Sequence, residues 1–167
     1  MTTQVSKVAK KFEEDWKTLK VELTFIDRKT VMCSGSYDLF HAGHADFLER
    51  ASAFGEILIV AVNRDASIGR YKSYLRPFIN EFYRIAVVSA IGCVDHVLLL
   101  EDDDPCKLIE ALQPDVYVNG TEWQGKDPEK AIVESYGGQT VYLDKLLPVS
   151  TTDIEKRIKK VSDSSPE

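Results

Sequence analysis

Hydrophobic positions along the chain alternate between two patterns. Short unbroken apolar runs occur at residues 30–36 (TVMCSGS), 56–63 (EILIVAVN), 94–100 (VDHVLLL), 115–120 (DVYVNG) and 139–144 (QTVYLD). Runs of this kind predict strands covered on both faces. The segments between them repeat their apolar residues every three or four positions, as helices do. Val5, Val8, Phe12, Trp16 and Leu19 predict a helix over residues 4–20, and Phe47, Leu48 and Ala51 predict one that stops at Gly55. A third runs from a cap at Asn80 to Gly92, a fourth over residues 104–113 before Pro114, and a fifth over 127–138 with Pro128 in its first turn. Ser150 or Thr151 caps a last helix that reaches about residue 161. Residues 64–79 are polar and carry Gly and Pro, which predicts a loop with one helical turn.

Five strands alternating with helices define an α/β fold, a doubly wound five-stranded parallel sheet. The expected organisation is a helical extension over residues 1–28, one domain over 29–161 and a disordered polar tail over 162–167. Ligands of such sheets bind beyond the carboxyl ends of the strands. That directs attention to residues 34–38, 63–65, 120–123 and 145–152.

Composition narrows the partners. A length of 167 residues suits a single core, and a net charge of -6 argues against a nucleic-acid partner. No apolar run approaches the roughly 20 residues that cross a membrane, and the N-terminus has no apolar signal core. A cytoplasmic location with no membrane partner is expected. Cys33, Cys93 and Cys106 are far apart and odd in number, which suits reduced thiols.

The first strand runs into Gly35-Ser36-Tyr37-Asp38-Leu39-Phe40-His41-Ala42-Gly43-His44. His41 and His44 stand three residues apart at a helix start, so both imidazoles can face one ligand. The helix N-terminus offers free N–H groups to an anion, and Gly43 leaves room for close approach. Phosphate donors, a polar capping pair and half of a zinc site all fit; HxxH supplies two of the four zinc ligands. The strand-to-helix turn at the ligand edge favours phosphate. Asp38 can orient a histidine or cap the turn. Lys72 and Arg76 are solvated loop cations or phosphate contacts. Arg84 either reaches the site or pairs with a carboxylate. Gly120 and Thr121 end the fourth strand, and Trp123 beyond them either walls a ligand or packs into the core. Ser150, Thr151 and Thr152 offer hydroxyls and N–H groups at a helix start.

GSYDLFHAGHADFLERA is similar to the G-x-[FY]-D-x-x-H-x-G-H motif of the cytidylyltransferase-like nucleotidyltransferases. VAVNRDAS, Lys72, Arg76-Pro77, NEFYRIAVVSAIGCVDHVL and Gly137-Gly138 resemble the adenylyltransferase domain of the bifunctional heptose-phosphate kinase/adenylyltransferase. Ser150-Thr151-Thr152 resembles the nucleotide-binding turn shared by that enzyme and glycerol-3-phosphate cytidylyltransferase, and Trp123, Gly125 and Lys126 resemble a separate Gly-Asp-Asp-Trp-x-Gly-Lys segment of the cytidylyltransferases. The likeness covers about residues 29–160. The Arg-Thr-x-Gly-Ile that precedes Ser-Thr-Thr in the cytidylyltransferases is absent, which leaves the base open.

The resemblance implies a Rossmann-like nucleotidyltransferase fold and transfer of a nucleoside monophosphate, from ATP by preference, to a sugar 1-phosphate. The alternatives are a CTP-dependent enzyme for a polyol phosphate and a non-catalytic nucleotide-binding module. By resemblance His41, His44 and Lys72 are catalytic. Ser36, Tyr37, Asp38, Gly43, Arg76, Gly120, Thr121, Ser150, Thr151 and Thr152 bind the nucleotide. Mg2+ accompanies the triphosphate, and relatives dimerise through the region of residues 80–100, so a homodimer is expected.

Overall fold

The structure, a computed structural model, describes residues 11–13, 15–72 and 75–163. Six strands form one parallel sheet: β1 (Phe12–Glu13), β2 (Thr30–Gly35), β3 (Ile57–Asn63), β4 (His96–Leu100), β5 (Val116–Gly120) and β6 (Gln139–Leu143). The helices are α1 (Trp16–Thr24), α2 (Ala42–Ser52), α3 (Asp65–Tyr71), α4 (Glu81–Ser89), α5 (Cys106–Leu112), α6 (Glu129–Ser135) and α7 (Thr151–Asp163). The sheet order is β1-β4-β3-β2-β5-β6. The chain works outward from β2 through β3 to β4, then returns to β5 on the other side. The order therefore reverses between β2 and β5, and their carboxyl ends flank the crevice where such folds bind ligands.

Strand periodicity divides the core. Val31, Cys33, Leu58, Val60 and Val62 face one layer with Leu48 of α2 and with Ile85 and Val88 of α4. Met32, Ile57, Ile59 and Ala61 face the other, with Leu19 of α1, Ile109 of α5 and Val133 of α6. Every residue of β3 is buried, which explains its unbroken apolar sequence. Gly55 turns the chain from α2 into β3 where a Cβ would lie 2.6 Å from Val31 Cγ2 and 2.7 Å from the Lys29 carbonyl.

The chain departs from the sequence pattern in three places. The expected first helix lies partly outside the described residues, and where it is described Phe12 and Glu13 form a sixth strand. They pair with Val97 and Leu98 of β4, because an open sheet edge offers hydrogen bonds to any extended backbone beside it. The helix starts only at Trp16, where Asp15 Oδ1 caps the Lys17 N–H at 2.9 Å. In the expected loop, residues 65–71 form α3, whose Ser67 and Ile68 are buried. That single apolar anchor was too sparse to register as a period. At the C-terminus α7 continues through Asp163, and residues 164–167 of the expected tail lie outside the described residues.

Candidate active site

The site is built on the turn between β2 and α2. Tyr37 and Leu39 both take left-handed backbone conformations (φ 49° and 46°), which cost a non-glycine residue on the order of 1–3 kcal/mol and persist only where surroundings enforce them. Asp38, between them, supplies the enforcement. Its side chain is fully buried, and its carboxylate accepts the Phe78 and Ile79 N–H groups at 3.0 Å each. The Arg76 guanidinium adds a contact at 3.3 Å. The Asp38 carbonyl accepts the Thr151 hydroxyl at 2.9 Å.

The turn delivers two histidines to the first winding of α2. His41 is its N-cap: Nδ1 accepts the Gly43 N–H at 3.1 Å. His44 reaches back, and its Nδ1 accepts the His41 N–H at 3.3 Å. The two imidazoles thus form a reciprocal capping box, and their rings stack with centroids 3.8 Å apart. An Nδ1 that accepts carries no proton. These hydrogen bonds therefore assign the proton of each neutral ring to Nε2, as a donor. Burial lowers the pKa of both rings, that of His44 to about 4 with help from the charges of His41 and Lys72. Both are neutral Nε2–H donors at neutral pH. Tyr37 stands behind His44, its ring edge-on at 5.5 Å. A Cβ on Gly43 would lie 3.1 Å from the His41 ring and 3.3 Å from Val149, so the glycine also makes room for the stack.

Lys72, at the C-cap of α3, donates from Nζ to Ser36 Oγ at 2.9 Å and so reaches the same turn. Its pKa is lowered by partial loss of hydration, against the pull of Asp38 and with the push of Arg76, Arg84 and Lys145. Arg76 does not project freely: it bridges Asp38 and Glu155 and lies over the Phe78 ring at 4.2 Å. Arg84 is 1% exposed. It donates to the carbonyls of Ile79 at 2.8 Å and Asn63 at 2.7 Å, to Asp65 Oδ1 at 2.7 Å, and to the Ser36 carbonyl. Of its two sequence roles it takes the carboxylate pairing, and it binds the ends of β2 and β3 together.

The opposite wall comes from β5, β6 and the start of α7. Gly120 and Thr121 lead from β5 into a short 3-10 turn. Trp123 is 52% exposed, so it is a surface ring rather than core. Ser150 Oγ donates to the Asp153 carboxylate at 2.5 Å and accepts the Asp153 N–H at 3.2 Å, a side-chain cap at the start of α7, while Thr152 is exposed. The sequence directs attention to residues 145–152 but gives the Lys145 side chain no role. Its ammonium sits 3.1 Å from Glu122, and its charge reaches His41, His44 and Lys72. No sequence pattern signals this, because Lys145 is more than 70 residues from Lys72, His44 and His41.

Among the described residues no group of three or more His, Cys, Asp or Glu side chains could hold a metal ion. No described helix is long and apolar enough to cross a membrane. A hollow of about 390 Å³, lined by Lys20, Arg28, Lys29 and Asp115, lies at the amino ends of the strands, opposite the histidines.

The sequence model of the cytidylyltransferase-like family matches residues 32–159. The chain belongs to that family and is an enzyme of the nucleotidyltransferase class. Bifunctional protein HldE from Geotalea uraniireducens is 40% identical over 136 residues, which span 79% of this chain and 27% of that protein. Bifunctional protein HldE from Helicobacter pylori (strain ATCC 700392 / 26695) is 38% identical over 137 residues, 82% of this chain and 29% of that one. The chain thus spans under a third of these relatives. A lipopolysaccharide core biosynthesis protein from Thermoplasma volcanium superposes with a TM-score of 0.59 at 25% identity, covering 71% of this chain and 96% of that one. Pantoate-beta-alanine ligase from Francisella tularensis shares the fold, with a TM-score of 0.62 at 12% identity over 92% of this chain and 79% of that one.

Proposed function

We propose that this domain transfers the nucleoside monophosphate of ATP to a sugar 1-phosphate, such as D-glycero-D-manno-heptose 1-phosphate, and releases pyrophosphate. The observation that carries the reading is the pair of neutral imidazoles at the strand-to-helix turn, each with Nδ1 taken by the helix and Nε2–H left to donate, on the turn that Lys72 also reaches. An acceptor phosphate oxygen attacks the α-phosphorus, the bond to the bridging oxygen breaks, and pyrophosphate departs. Such transfers ask the protein for positioning and charge neutralisation rather than a covalent intermediate. Two neutral donors and a lysine meet that demand as an oxyanion hole does. Mg2+ would accompany the nucleoside triphosphate and supply charge neutralisation there. The choice of sugar phosphate rests on the likeness to the HldE proteins and to the lipopolysaccharide core biosynthesis protein.

Gly43, Ser36, Gly120, Thr121, Ser150, Thr151 and Thr152 line the proposed nucleotide path, and Tyr37, Asp38 and Arg76 brace it from behind. The exposed Trp123 beside Gly125 and Lys126 favours a second reading, a CTP-dependent enzyme for a polyol phosphate. Pyrophosphate release with ATP or CTP against heptose 1-phosphate and glycerol 3-phosphate decides between them. Turnover with CTP and glycerol 3-phosphate alone would overturn the first reading. Tight nucleotide binding with no turnover of any pair would mark a binding module. We further propose a cytoplasmic homodimer formed through α4, where Tyr83 is 62% and Val87 43% exposed. A monomer by light scattering at micromolar concentration would refute the dimer.

A further inference from the structure

We propose that Glu155 is a positioning residue, which acts through Arg76 to anchor α7 to Asp38 and thereby fixes the turn that carries His41 and His44. The proposal rests on the reading of those histidines as phosphate donors.

The 13 residues of α7 include none that is buried, and its apolar Ile158 and Val161 are largely exposed. A helix without a buried stripe depends on specific polar ties. Two of those ties end on one residue of the histidine turn. Thr151 donates to the Asp38 carbonyl, and Glu155 pairs with Arg76, whose other face meets the Asp38 carboxylate. Arg76 is nearly buried there, with Phe78 beneath it, so its planar fork is locked between two carboxylates. Glu155 also accepts Lys159 at 3.0 Å, and those two cations hold its carboxyl below the usual range.

Asp38 stands between two left-handed non-glycine residues. A turn of that kind relaxes when its outside ties are cut. Removing Glu155 leaves Arg76 with one carboxylate and removes one of the two ties between α7 and the Asp38 turn, which loosens both α7 and the 76–79 segment that the Asp38 side chain grips. Because Ser150 and Thr151 open α7, the same brace aligns the two walls of the crevice.

The test uses hydrogen–deuterium exchange of the ligand-free chain together with steady-state turnover, comparing Glu155→Ala and Glu155→Gln with the unaltered protein. Alanine sustains the helix, and glutamine keeps one acceptor oxygen for Arg76. In Glu155→Ala, exchange over residues 36–44 should quicken about tenfold and kcat fall about tenfold, with acceptor KM little changed. Glu155→Gln should recover part of both. Unaltered exchange over residues 36–44 overturns the proposal whatever the activity. Faster exchange there with kcat retained also overturns it. Failure of the unaltered chain to turn over any nucleotide would strike the proposed function instead, and the exchange measurement would still decide the brace.

Discussion

His44 caps the backbone of His41 while His41 caps that of Gly43, so each imidazole commits its Nδ1 to the helix and keeps its Nε2–H as the donor for a ligand. A residue that cannot do both jobs fails at one of them. His44→Ala and His41→Ala should each lower kcat on the order of 10²–10³-fold, the loss typical of an oxyanion-hole donor. Pyrophosphate-release assays check this, and a loss under tenfold would remove the histidine concerned from the chemistry.

Acid should cost the free protein stability through His44. Its folded pKa is about 4 against an ordinary 6.5. Between those values the unfolded chain takes up a proton that the folded protein refuses, so stability present above pH 6.5 drains away as pH falls toward 4. Melting temperature should drop across that window, and more steeply than in His44→Gln, which has nothing to protonate. Equal slopes would contradict the burial of this imidazole.

Gly43→Ala separates architecture from chemistry. The added methyl would press on the His41 ring at 3.1 Å and on Val149 at 3.3 Å. Alanine favours the helix by up to about 1 kcal/mol. Thermal stability should therefore stay within a few degrees while kcat falls, because the ring must move. A large loss of stability with activity per folded molecule intact would refute the steric account.

Arg84→Met should destabilise the fold by about 3–5 kcal/mol, since it strands carbonyls and a carboxylate that a buried guanidinium satisfies. Arg84→Lys should recover little, because one ammonium cannot reach four acceptors in a planar fork. Urea unfolding of both variants measures this, and full recovery by lysine would show that charge alone matters.

Much of this arrangement is legible in the sequence, for identifiable reasons. β2 to β5 announce themselves through their runs of buried apolar residues, and the site announces itself because two histidines and a glycine fall at the strand-to-helix turn on the ligand-binding edge of the sheet. Strand β1 is invisible, since Phe12 and Glu13 gain their conformation from the edge of β4 and have no pattern of their own. The division of labour among arginines is equally hidden. Arg76 looks like a phosphate ligand until Asp38 and Glu155 are found on either side of it, and Arg84 looks optional until Ser36, Asn63 and Asp65 converge on it. Such contacts join residues 19 to 79 positions apart, a range over which a single sequence carries no spacing signal.

The two-residue β1 bears on how the protein behaves in solution. It covers part of the outer backbone row of β4, with Lys11 bonding the Ile91 carbonyl and Glu13 pairing with His96 around it. Without that cover β4 would offer unpaired N–H and C=O groups to any extended chain, the usual seed of edge-to-edge aggregation. A truncation that begins at Asp15 would leave the histidine turn untouched and still yield a sticky protein. Solubility is thus lodged at the β1 edge of the sheet and catalysis at the carboxyl end of the inner strand β2, and expression trials on shortened chains would report on the first alone.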